Sequence, residues 1–134
     1  MQSINRLLVM APQSGDRGWI DDELAGQPLT KRFVRTVRDV VRVLIEEEPP
    51  RPQILIIDVD SVPAADVLHL HELRDRGWFG SIIGLGAVST ELCASLVIER
   101  VIPRPLGPGA LKKAVAQVGL DRATTRMPRL PRTA

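Results

Sequence analysis

Residues 54–58 read Ile54-Leu55-Ile56-Ile57-Asp58, and this stretch decides the fold. Four aliphatic side chains in succession, without polar alternation, suit a strand covered on both faces. Such a strand belongs at the centre of a parallel sheet with helices packed above and below. The run ends in a carboxylate, so a charge emerges where the strand leaves the sheet.

Working outward, five strand-like runs alternate with five helix-like segments. The first strand is Leu7 to Met10, followed by a loop from Pro12 to Gly18 and a short helix from Trp19 to Ala25. The second strand is the weakest pattern, about Lys31 to Arg35. In the second helix Val37, Val40, Val41 and Leu44 recur at i, i+3, i+4 and i+7. Thr36 caps it, with Asp39 three residues on. Glu46-Glu47-Glu48 reads as its solvated last turn, and Pro49-Pro50 stop it. The third helix starts near Pro63 and ends at Gly77, with Val67, Leu70 and Leu73 inward. Ser81 to Leu85 is the fourth strand. Ser89 caps a fourth helix whose apolar stripe is Leu92, Cys93, Leu96 and Val97. The fifth strand runs from about Arg100 to Ile102. The last helix carries Leu111, Ala114, Val115 and Val118, and Gly119 is expected to stop it.

The 134 residues have room for one domain with a real core. No apolar run approaches the roughly 20 residues of a membrane-spanning helix, and the apolar start is too short for a signal-peptide core. The single Cys93 cannot form an internal disulfide and suits a reducing, cytoplasmic setting. The net charge of +2 is unevenly spread: residues 121–134 hold four Arg and one Asp, which leaves the body slightly acidic. That basic, proline-containing segment reads as a disordered tail behind a domain of residues 1–120.

The order of these features resembles a bacterial response-regulator receiver domain. Asp58 ends the central strand and Pro63 follows in the loop. A later strand ends in Gly86-Ala87, where receivers carry Ser or Thr followed by Ala. The fifth strand leads into Arg104-Pro105, where receivers have Lys-Pro. The resemblance spans about residues 5–120. It implies a flavodoxin-like, doubly wound α/β fold with five parallel strands in the order 2-1-3-4-5. It also places Asp58 at the phosphoacceptor position, with Asp60, Gly86, Ala87, Arg104 and Pro105 lining the pocket.

The departures bear on function. Active receivers have two or three acids after the first strand that help to hold Mg²⁺; here that register reads Ala11-Pro12-Gln13. Gly86 removes a hydroxyl, and Arg104 keeps a charge without the compact ammonium of lysine. Asp16, Asp21 and Asp22 are read as lying outside the site. A site with one carboxylate and water holds Mg²⁺ poorly, and phosphoryl transfer depends on positioning and charge stabilisation. The expectation is a degenerate, non-catalytic receiver with no metal and no cofactor, in which Arg104 pairs with Asp58. It would act in signalling through protein contacts, with another protein or as a homodimer. Its face would be the fourth helix, fifth strand and fifth helix, represented by Leu92, Leu96, Arg100, Leu111 and Val115.

Two alternatives stay open: a phosphoacceptor using Asp58 with an unorthodox metal site, and a small nucleotide-binding protein or enzyme on the same fold. Gly84-Leu85-Gly86 with Ser89 resembles part of a dinucleotide fingerprint but lacks its third glycine. His69 and His71, two apart on a helix, diverge by about 200° and do not chelate one ion. Cys93 reads as an inert thiol on an apolar stripe. With only Trp19, Phe33, Trp78 and Phe79 as aromatics, there is no stacking platform for single-stranded nucleic acid. Specific nucleic-acid recognition is not expected.

Overall fold

A computed structural model describes residues 5–126. Five parallel strands form one sheet in the order β2-β1-β3-β4-β5: β1 Asn5–Met10, β2 Leu29–Val34, β3 Ile54–Asp58, β4 Ser81–Leu85 and β5 Ile98–Ile102. The helices are α1 Ser14–Glu23, α2 Val37–Val41, α3 Val67–Asp75, α4 Thr90–Leu96 and α5 Ala110–Arg126. The doubly wound α/β architecture and the strand order are as the sequence implies.

The period-two geometry of each strand divides its aliphatic residues between two cores. Leu8, Met10, Leu55, Ile57 and Ile82 pack toward α2, α3 and α4. Leu7, Val9, Ile54, Ile56, Ile83 and Leu85 pack toward α1 and α5. All of β3 is buried, which is why its sequence shows no alternation. Burying each Leu or Ile contributes about 1.5–3 kcal/mol, so these three central strands hold the scaffold that carries the loops.

Several boundaries differ from the sequence reading. Helix α1 starts at Ser14, not at Trp19, because Asp16, Ile20 and Leu24 lie four apart on its inward side. Strand β5 begins two residues earlier than expected, at Ile98. Helix α2 continues into a π-helical turn, Arg42–Glu46, where Glu47 N–H reaches Arg42 O at 3.0 Å. Helix α4 ends at Leu96, and Val97 adopts the left-handed conformation (φ 58°), which turns its side chain outward to 57% exposure. Its expected place on the buried stripe is therefore wrong, and of that stripe only Leu96 is fully buried.

Helix α5 passes through Gly119 to Arg126, since an isolated glycine weakens a helix without stopping it. Residues 121–126, expected in a disordered tail, are thus helical, and residues 127–134 lie outside the described residues. Three expected interface residues need correction. Leu96, Leu111 and Val115 are at most 5% exposed and belong to the core, so they cannot present a surface. Leu92 and Arg100 are half-buried on that face. Among the described residues no helix is long and apolar enough to cross a membrane.

Candidate functional site

The carboxyl ends of β1, β3, β4 and β5 meet at Arg104. Asp58, the last residue of β3, is 1% exposed. Its Oδ1 accepts the Asp60 backbone N–H at 3.2 Å, and its Oδ2 accepts the Ser61 hydroxyl at 2.6 Å. These bonds start a tight turn over Val59–Ser61 that lifts Asp60 over the exit of β4. A short aspartate turn of this kind is local chemistry, encoded by the Asp-x-Asp-Ser spacing.

Arg104 follows β5 and gathers three carboxylates. Its Nη1 and Nη2 form a fork on Asp16, at 3.2 and 2.9 Å. The same Nη2 donates to Asp58 Oδ1 at 3.0 Å, and Nε donates to Asp60 Oδ2 at 2.9 Å. Planar, bidentate geometry of this kind is available to arginine and not to lysine. The Asp16 carboxylate first, then those of Asp58 and Asp60, hold the guanidinium well above the ordinary arginine pKa. Asp16 and Asp58 both accept from Nη2, so their carboxylates meet at that one nitrogen.

The exits of the neighbouring strands complete the site. Gly86 N–H donates to Ile102 O at 2.9 Å, tying β4 to β5. Ala87 N–H donates to Asp60 Oδ1 at 3.2 Å. Ala11 is fully buried at the end of β1, and the carbonyls of Ala11 and Pro12 accept from Arg17 Nη1 at 3.2 and 3.1 Å. Pro105 follows Arg104 through a cis peptide and is exposed.

The structure therefore brings Asp58, Asp60, Gly86, Ala87 and Arg104 together, and the Arg104–Asp58 pair is present. The expectation that Asp16 lies outside is overturned. Asp16 sits in the first turn of α1, four residues before the buried Ile20, and that spacing aims it inward. Ser61 and Arg17 were not anticipated. The Asp16–Ile20–Leu24 spacing is the sequence signal for the inward side of α1, and a helix start at Trp19 leaves Asp16 out of it.

A divalent ion of the kind the receiver resemblance implies does not fit this donor set. Asp58 has both oxygens engaged, and the guanidinium lies where oxygen ligands would have to converge. Among the described residues, no group of three or more His, Cys, Asp or Glu side chains is arranged to hold a metal ion. Grooves of about 410 Å³ between α2 and α3 and about 240 Å³ between β5 and α5 lie away from Asp58. Gly84 is explained by packing, since a Cβ there would meet Val59 and Val88 at 3.3 Å. His71 is held by Val67 O and Ser95 Oγ, and His69 faces Glu72, so the two histidines act separately.

The fold is that of a receiver domain. The signal receiver domain of an HD domain-containing protein from Pseudomonas fluorescens Pf-5 superposes with a TM-score of 0.75 at 17% identity, covering 96% of each chain. The signal receiver domain of a putative Luxo repressor protein from Vibrio parahaemolyticus gives 0.73 at 23% identity, covering 92% of this chain and 95% of that one. The receiver domain of the Saccharomyces cerevisiae response regulator Ssk1, solved with the histidine phosphotransfer protein Ypd1, gives 0.71 at 13% identity, covering 92% and 94%. No protein-family model matches the chain, and no curated protein does. The receiver fold is thus shared at low sequence identity.

Proposed function

We propose that this chain is a receiver-type signalling module that is not switched by aspartyl phosphorylation and acts through protein contacts. The observation that carries this reading is the Arg104 hub. A phosphoacceptor needs a free carboxylate oxygen facing a phosphodonor. In Asp58 one oxygen is taken by Asp60 N–H and Arg104, the other by the Ser61 hydroxyl, and the side chain is buried. The cation that would have to leave before a metal entered is covalently part of the chain. It is anchored at once to three carboxylates, so displacing it exposes several charges together.

A fixed site fits a fixed surface. We infer that the partner, another signalling protein or a second copy, meets the face of α4, β5 and α5. On that face Val97 and Val101 are exposed, and Leu92 and Arg100 are half-buried. The role is a contact, not a reaction, and the chain is read as non-enzymatic and cytoplasmic.

The position of Asp16 favours a second reading, in which Asp58 accepts phosphate with an unorthodox metal site. Asp16 supplies the carboxylate that the first loop lacks, although Arg104 now lies between it and Asp58. Incubation with a small phosphodonor and Mg²⁺, followed by intact-mass measurement, separates the two. Unchanged mass is expected; stoichiometric phosphorylation that is lost in Asp58→Ala would establish the second reading. Asp58→Ala is expected to alter stability or partner binding through loss of the Arg104 contact, in the absence of any phosphodonor.

A further inference from the structure

We propose that Gly86, Ala87 and Arg104 form a cradle for a small carboxylate, and that Asp60 is its built-in occupant. The two oxygens of Asp60 are divided between two donors from different loops. Oδ1 takes the backbone N–H of Ala87 after β4, and Oδ2 takes Nε of Arg104 after β5. The carboxylate lies flat over Gly86. A Cβ at that position would collide with Asp60 Oδ2 and come within 2.6 Å of its Cγ. Gly86 also has φ +109°, which side-chain-bearing residues rarely adopt. Clearance, a backbone donor and a cation thus converge on one anion, although Asp60 itself is 42% exposed.

This deepens the fixed-module reading, because it names what keeps the exits of β3, β4 and β5 closed over one another. The occupant is tethered two residues from the end of β3, so its local concentration far exceeds that of a free anion. External ligands therefore do not compete in the native chain. Once the tethered group is removed, the cradle takes a monoanionic carboxylate in preference to a phosphate dianion. Asp16 and Asp58 accept from the Nη atoms of the same guanidinium, and their repulsion grows with the charge of the incomer.

The test is a titration of ¹⁵N-labelled chain with sodium acetate, read at the Ala87 amide and the Arg104 Nε–H, against sodium chloride of equal ionic strength. Asp60→Ala is expected to show saturable shifts at both groups with half-saturation in the millimolar range, and the native chain none. A response in Asp60→Ala no larger than in chloride would overturn the proposal, as would an equal response in the native chain. Asp60→Asn keeps an oxygen for the Ala87 N–H; it should hold that amide near its native position and ignore acetate. Acetate binding by folded Asp60→Asn as strong as that of Asp60→Ala would also overturn it. Phosphorylation of native Asp58 would sink the fixed-module reading while leaving the acetate result standing. Absence of the acetate response would sink the cradle alone.

Discussion

Two arginines hold the two ends of the sheet, and they do it with different chemistry. At the carboxyl end, Arg104 gathers Asp16, Asp58 and Asp60. At the amino ends of β4 and β5, Arg74 of α3 donates to four backbone carbonyls. These are Leu96 at 2.8 Å, Val97 at 3.1 Å, Trp78 at 3.2 Å and Gly80 at 2.8 Å. Its guanidinium also stands 5.3 Å from the Trp78 ring centre. Arg74 staples neutral loop ends together. Arg104 balances like charges that would otherwise repel. The bonds at one end therefore run to backbone carbonyls, and those at the other run to carboxylates.

This contrast makes Arg104→Met the most damaging single change. It leaves three carboxylates without their shared cation, and losing one partner of a buried ionic group costs about 3–5 kcal/mol. Because the Arg104 side chain is 36% exposed, about 2–4 kcal/mol is expected in urea melts. Added salt should recover part of the loss by screening the repulsion. Arg74→Met should cost about 2–3 kcal/mol through unsatisfied carbonyls. An Arg104→Met loss that salt leaves unchanged would break the distinction.

Two smaller changes sharpen it. Glu23 of α1 receives the N–H groups of Gly109, Leu111 and Lys112 at 2.7, 2.9 and 3.2 Å, capping α5. Burial pushes its pKa up, but these backbone bonds and Lys112 outweigh that and hold it below the ordinary glutamate value. A lowered folded pKa means the cap contributes fully above the unfolded value and is lost as pH falls through the folded one. Glu23→Gln should therefore cost about 1 kcal/mol at neutral pH and flatten the acid limb of a stability–pH curve. At the other end, Val97→Gly should stabilise by about 0.5 kcal/mol. It relieves about 1–2 kcal/mol of left-handed strain against the larger backbone entropy lost by glycine. A destabilised Val97→Gly would mean that the exposed side chain contributes packing.

The central sheet was legible because burial on both faces removes polar alternation, as in Ile54–Ile57, and because parallel strands need helices between them. The receiver layout followed from the order of Asp58, Gly86-Ala87 and Arg104-Pro105. What escaped were features set by direction. Asp16 points inward only because α1 begins at Ser14, and no local pattern places it against a residue 88 positions away. Val97 has the composition of a core residue, yet one left-handed φ turns it to solvent. Leu96, Leu111 and Val115 lie on elements that face outward, but their own side chains face the core. Naming an element as a surface does not name the residues that form it.

In the proposed fixed module, Arg104 serves as the counter-ion that a divalent metal would otherwise be. A Mg²⁺ titration of the ¹⁵N-labelled native chain, beside Arg104→Met, tests this directly. Amides of residues 58–61 should show no saturable shift in the native chain and a saturable one once the guanidinium is gone. Saturable shifts at Asp58 and Asp60 in the native chain, at magnesium concentrations that leave other surface acids unmoved, would contradict it.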